Sequence, residues 1–179
     1  MCGIIGISSN KSVSANIINS LKKLEYRGYD SAGIATLSDG FINEVKSEGR
    51  VENLEKNFDL KILSGNIGIG HVRWATHGVP NSINAHPHSS KNVSVVHNGI
   101  IENSTLLKKH LINQGHKFKS QTDTEVIVHL ITENLKSSEL QEAITKTLKQ
   151  LHGSFALGVI FKDKPDLIVG ARRGSPLAV

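Results

Sequence analysis

The chain has 179 residues, 38% of them hydrophobic and 21% charged, which is ordinary for one soluble globular domain with a core of its own. Its single cysteine excludes an internal disulfide framework and fits a reducing compartment; no apolar run approaches the ~18 residues of a membrane span, and no signal peptide is apparent, so a cytoplasmic protein is expected. The net charge of +5 does not point to nucleic acid, because the lysines are scattered, arginines number five and aromatics make up only 4%.

In chain order, Cys2 to Ile7 is a short apolar run that reads as a buried strand. Val13, Ile17, Ile18, Leu21 and Leu24 recur at helical spacing, predicting an amphipathic helix over about residues 12–24. Tyr26-Arg27-Gly28-Tyr29-Asp30 breaks it. Two strands, Ser31 to Leu37 and Phe41 to Val45, follow around the Asp39-Gly40 hairpin signal, and a short helix is expected over residues 51–58. Ile67 to Trp74 and Val93 to His97 read as strands separated by a loop with Pro80 and Pro87. A helix over 102–114 carries Leu106, Leu107, His110 and Leu111 on one side. Thr122-Asp123-Thr124-Glu125 matches a capping box before the apolar stripe Val126, Ile127, Leu130, Ile131 and Leu135. Leu140, Ala143, Ile144, Leu148 and Leu151 mark one more helix, and strands Ser154–Phe161 and Leu167–Ala171 complete the series. Strands in hairpins with helices in separate blocks indicate an α+β fold of antiparallel sheets covered by helices. The Gly65-Asn66-Ile67-Gly68-Ile69-Gly70 cluster precedes a strand, so it is not a dinucleotide fingerprint. Gly174 to Val179 stops as an apolar run begins, which reads as a cut inside a larger protein.

Four segments carry possible chemistry. Once Met1 is removed, Cys2 offers a thiol and an α-amine on one residue, the N-terminal-nucleophile arrangement, with the amine titrating near ~7.7–8.0 where a general base works well. Arg73, close to Trp74 and His77, presents a planar fork suited to a carboxylate. Asn98-Gly99 between apolar runs is a strong hairpin signal, and the Asn98 amide with the Gly99 N–H also suits an oxyanion hole. Asp123, just inside a helix start, serves either the helix dipole or a substrate ammonium. His86 and His88 lack the further ligands a zinc site wants, and no metal or cofactor is expected.

Taken together, Cys2-Gly3-Ile4-Ile5-Gly6, the block from Leu24 to Gly33, Arg73-Trp74-Ala75-Thr76-His77-Gly78, Asn84-Ala85-His86-Pro87-His88, His97-Asn98-Gly99-Ile100-Ile101-Glu102-Asn103 and Thr122-Asp123-Thr124-Glu125 resemble the glutaminase domain of the glutamine–fructose-6-phosphate aminotransferases, which are class II glutamine amidotransferases. The Tyr-Arg-Gly-Tyr-Asp-Ser-Ala-Gly and Arg-Trp-Ala-Thr-His-Gly blocks favour that family over amidophosphoribosyltransferases, asparagine synthetases and glutamate synthases. The departures, such as Val72 and Gln121, lie away from the chemistry. The resemblance implies a four-layer αββα sandwich of the N-terminal-nucleophile-hydrolase type, with residues 2–179 forming a glutaminase domain cut short at its C-terminal end and the sugar-isomerase domains absent. It implies that Cys2 attacks L-glutamine, that Asn98 and Gly99 form the oxyanion hole, and that Arg73 and Asp123 hold the α-carboxylate and α-ammonium. Trp74, Thr76, His77 and Gly99 would line the pocket with His86 nearby, and Arg27 would sit in a loop that organises the site. The parent would pass ammonia to fructose 6-phosphate, giving glucosamine 6-phosphate, as a homo-oligomer. Another amidotransferase acceptor, or a glutamine-binding module without turnover, are the alternative readings.

Overall fold

The computed structural model describes residues 2–75 and 78–179. Among these, eight strands form two four-stranded antiparallel sheets. The first contains β1 (Gly3–Ser8), β2 (Ser31–Ser38), β3 (Phe41–Glu48) and β4 (Ile67–Arg73), in the order β1-β4-β2-β3. The second contains β5 (His88–Ser89), β6 (Val93–Ile101), β7 (Gly153–Phe161) and β8 (Lys164–Arg173), in chain order.

Alternation along the strands dictates how the layers stack. On β4, Ile67 and Ile69 join Ala35, Leu37, Val96 and Ile160 in a core shared by both sheets. Its opposite face packs against α1 (Ser14–Leu24), where a Cβ on Gly68 or Gly70 would meet Ile17. The glycines of the Gly-x-Gly run therefore let a helix lie close on a central strand. Ile17, Ile18 and Leu21 of α1, with Leu54 of α2 (Glu52–Asn57), cover this outer face. Beyond the second sheet, Val93, Val95, Leu157 and Val159 pack under α3 (Ser104–Asn113), α4 (Glu125–Asn134) and α5 (Leu140–Gln150). The result is the expected αββα sandwich.

Three local expectations are corrected. Asn98-Gly99 is not a turn: β6 runs straight through it, with Asn98 opposite Ala156 and Gly99 opposite Phe155. The long-range ladder overrides the local hairpin preference, and Gly99 (φ +140°) is needed for close approach, since a Cβ there would lie 2.1 Å from the Ser154 carbonyl oxygen. The turn at Asp39-Gly40 does form, both residues having positive φ. Second, the Thr122–Glu125 capping box is not made: α4 starts there, but Glu125 accepts from the backbone of Lys119 and Ser120 instead. Third, α3 buries only Leu107 and Leu111, leaving Leu106 exposed.

Candidate active site

Cys2 lies at the start of β1, where the register Gly3↔Val72 brings it beside the end of β4. The Trp74 N–H donates to its Sγ at 3.4 Å, and the thiol reaches the Trp74 carbonyl at 3.5 Å. Burial pushes the thiol pKa up, and the Trp74 hydrogen bond only partly opposes this. The sulfur therefore rests as a thiol.

Around it converge Arg73, Trp74, His86, His97, Gly99, Thr122, Asp123 and Thr124, enclosing a cavity of 20 Å³. That is room for about one water molecule. Larger clefts, such as the 420 Å³ one along Phe41, Glu44, Lys91 and Lys162, hold none of the expected residues.

Arg73 is 2% exposed and engaged on several sides. Its Nη1 pairs with Asp30 Oδ1 at 3.2 Å and reaches the Val79 carbonyl at 3.5 Å, while Nη2 donates to the Gly78 carbonyl at 3.1 Å. Asp30 was not singled out from the sequence. Its Oδ2 also takes a short hydrogen bond from the Ala75 N–H, and its own N–H donates to the Arg73 carbonyl at 2.8 Å. One carboxylate thus orients both the arginine and the backbone leaving β4. Its prior signs were an acid immediately ahead of a strand and its place in the Tyr26–Gly33 block that carries the family resemblance, neither of which gave it a role.

Asp123 Oδ2 accepts from the Ile101 N–H at 2.7 Å, which ties α4 to the end of β6 two residues beyond Gly99. Arg27 lies in a 3-10 turn (Glu25–Arg27) just ahead of Gly28, on which the Trp74 ring rests. A Cβ on Gly28 would approach Trp74 Cε3 to 2.5 Å, and the indole remains 52% exposed. Gly99 lines the cavity from the other sheet; Asn98, beside it on β6, is not among the lining residues. Thr76 and His77 lie outside the described residues.

Beneath the cavity is a buried histidine cluster. His71 Nε2 donates to the His97 carbonyl at 2.8 Å, bridging β4 to β6 and fixing the peptide plane ahead of Asn98. The His71 and His86 rings stack at 4.1 Å. Thr124 Oγ1 serves both His86 Nε2 (2.7 Å) and His97 Nδ1 (2.9 Å), and Thr122 Oγ1 holds His88 Nε2 at 2.9 Å. Burial drives His71 and His88 down to about 3 and His86 well below its ordinary value, so these rings are neutral. The predicted His86 thus acts as a wall of the site. The contribution of Thr124 was hidden by its capping-box context. Among the described residues, no group of three or more His, Cys, Asp or Glu has metal-ligand geometry.

Facing antiparallel sheets between helix layers, with a cysteine at the head of the first strand, define an amidotransferase sandwich of the N-terminal-nucleophile type. Residues 71–175 match the glutamine amidotransferase domain family, and the chain belongs to that family. Among curated proteins, it is 54% identical over 180 residues to the glutamine–fructose-6-phosphate aminotransferase [isomerizing] of Mesorhizobium japonicum, and 50% identical over 180 residues to that of Zymomonas mobilis. Each match covers 100% of this chain and 30% of the relative, so the chain spans about a third of their length. Among solved structures, it resembles the glutamine phosphoribosylpyrophosphate amidotransferase of B. subtilis, with a TM-score of 0.77 and 30% identity over 90% of this chain and 35% of that one. A glutamine aminotransferase class-II domain protein from Silicibacter pomeroyi shares the fold, with a TM-score of 0.56 and 15% identity over 82% of this chain and 70% of that one.

Proposed function

We propose that residues 2–179 are a glutaminase unit that hydrolyses L-glutamine to glutamate and ammonia through a thioester on Cys2. The observation that carries this reading is the convergence of Cys2, Arg73, Asp123 and Gly99, distant in sequence, on one cavity. With Met1 removed, the Cys2 α-amine takes the thiol proton directly or through a water, and the sulfur attacks the side-chain amide carbon. The Asn98 amide and the Gly99 N–H receive the developing oxyanion. The protonated amine returns its proton to the leaving group and ammonia departs. Water then attacks the γ-glutamyl thioester, releasing glutamate and restoring the thiol.

Arg73 binds the α-carboxylate, which takes over donors now spent on the Gly78 and Val79 carbonyls. Asp123, held by Ile101, receives the α-ammonium, and the opposite charges together select a free amino acid. Trp74, Thr76, His77 and His86 frame the substrate, and Arg27 supports the loop under Trp74. The names of the curated relatives support a longer parent whose further domains use the ammonia to convert fructose 6-phosphate to glucosamine 6-phosphate; a cytoplasmic, homo-oligomeric parent is proposed from the sequence reading alone.

The test is intact mass before and after exposure to 6-diazo-5-oxonorleucine, with glutamate release measured in parallel. Loss of Met1, one adduct on Cys2, and no turnover in Cys2→Ala are expected. Turnover by Cys2→Ala would overturn the mechanism, and glutamine binding without glutamate release from processed protein would make the chain a sensor.

A further inference from the structure

Residues 116–124, between α3 and α4, lie outside every helix and strand, yet they deliver Thr122, Asp123 and Thr124 to the cavity. Without a ladder, the order of this segment has to come from side chains. The Gln121 N–H goes to Asn84 Oδ1 at 2.8 Å, but the bonds on either side of it lead to the buried carboxylate of Glu125, the first residue of α4. Glu125 Oε1 accepts from the Lys119 N–H at 2.9 Å, and Oε2 accepts from the Ser120 N–H and the Ser120 hydroxyl, each at 2.7 Å. His129 Nε2, one turn along α4, faces Oε1 at 3.5 Å. Burial alone would raise the pKa of Glu125, but the His129 ring and the Ser120 and Lys119 donors outweigh it and bring it to about 2.

A carboxylate can only accept, and that fixes the direction of each proton beyond it. The Ser120 hydroxyl has one hydrogen and spends it on Glu125. Ser120 Oγ must then accept at its 3.0 Å contact with Thr122 Oγ1, as it does from the Thr122 N–H at 3.3 Å. The Thr122 hydroxyl hydrogen is thereby spent, so His88 Nε2 is the donor at its 2.9 Å contact with Thr122 Oγ1. A directed chain runs from His88 through Thr122 and Ser120 to Glu125, and it selects the Nε2–H tautomer of the neutral His88 ring. On the other side of Asp123, Thr124 Oγ1 is tied to His86 and His97. Asp123 thus sits between two anchored threonines, with its Oδ2 on the Ile101 N–H.

We propose that Glu125 is a positioning residue for the substrate: it gathers the backbone of Lys119 and Ser120, orders Thr122 through the Ser120 hydroxyl, and so sets the Asp123 carboxylate where the α-ammonium of glutamine lands. This rests on the glutaminase reading. Glu125 is not among the residues lining the cavity and acts only through the loop. Its charge matters, because the amide of Glu125→Gln would turn its NH₂ toward a donor in either orientation, the Lys119 N–H or the Ser120 pair. Cys2, Arg73 and Gly99 are carried by other elements, so the loss falls on the ammonium and not on the chemistry at the side-chain amide.

The test sets glutamine against 4-carbamoylbutanoate, the same molecule without its α-ammonium, used as a competitive inhibitor of glutamine hydrolysis. In Glu125→Gln, KM for glutamine should rise roughly 10–100-fold, the worth of a charge-assisted contact, with kcat changed far less. The inhibition constant of the analogue should not move, and Ser120→Ala should shift KM the same way by less. An unchanged KM in Glu125→Gln would overturn the proposal, as would an analogue weakened as much as glutamine, which is what a merely structural role would give. Asp123→Asn separates this from a failure of the glutaminase reading: if it spares glutamine binding, the ammonium site is misplaced and the proposal falls with it. Independently of turnover, ¹⁵N-histidine NMR of the full chain should show His88 neutral with its hydrogen on Nε2. An Nδ1–H tautomer there would break the directed chain, even if Glu125→Gln fails to fold.

Discussion

Replacing Gly99 with alanine probes the point where β6 meets the proposed oxyanion hole. The added methyl would lie 2.1 Å from the Ser154 carbonyl oxygen and 2.8 Å from Phe155 Cα, both backbone atoms of β7. That strand is held on both sides, by β6 and by β8, so it cannot swing away. Relief to an ordinary ~3.2 Å contact requires β6 to lift by about 1 Å at this residue, and the φ of +140° adds strain for any residue with a side chain. An oxyanion donor works over only ~2.7–3.1 Å, so a displacement of that size removes it. We expect kcat for glutamine hydrolysis to fall ~10²–10³-fold, about 2.7–4 kcal/mol in the barrier. KM should change less than kcat, because Arg73 lies on β4 and only the Asp123 anchor, through the Ile101 N–H, is on the displaced strand. The assay is glutamate release under saturating and limiting glutamine, with alkylation of Cys2 confirming an intact nucleophile. A Gly99→Ala protein with unchanged kcat would refute the placement of the hole on this strand.

Asn98→Ala should lower kcat by a similar factor with near-normal glutamine binding, read by isothermal titration on a Cys2→Ala background; unchanged turnover would remove Asn98 from the reaction. Thr124→Val removes the one hydroxyl shared by His86 and His97, at a cost of about 2–4 kcal/mol for buried groups left unpaired. That corresponds to a melting temperature roughly 5–15 °C lower, largely restored by Thr124→Ser; a Thr124→Val protein as stable as the original would show the bonds to be dispensable. Acid should destabilise the fold early. His71, His86 and His88 have folded pKa values depressed below the ordinary 6.5, so the unfolded chain binds more protons and stability falls as pH drops from 6.5 toward 3. Each fully buried ring contributes up to ~1.4 kcal/mol per pH unit in that window. Guanidinium midpoints at pH 7.5, 6 and 5 should decline steadily; a flat profile to pH 4.5 would contradict the neutral cluster.

The strands and helices were legible where the hydrophobic period was long and unmixed, as in α1, α4 and the pair joined at Asp39-Gly40. Asn98-Gly99 misled because a two-residue signal says nothing about the partner strand, and Phe155 is distant in sequence. The site residues were visible only as separate short blocks, each equally compatible with a turn, a cap or a surface ion pair. What joined them was resemblance, since no local pattern states that the head of β1 lies beside the tail of β4. Asp30 and Thr124 were missed for a related reason. Their work is to hold other groups in place, and one carboxylate or hydroxyl leaves no periodic trace.

The His71 bond to the His97 carbonyl crosses from one sheet to the other at the level of the proposed reaction. The proposed nucleophile lies at the head of the sheet formed by the first part of the chain, and the proposed oxyanion donors in the sheet formed by the later part. Neither layer alone holds a working centre. A nascent chain that has folded only its first sheet carries a thiol with nothing to stabilise an attack, so its chemistry stays silent until the second layer docks. Competence to react thereby becomes a readout of completed assembly.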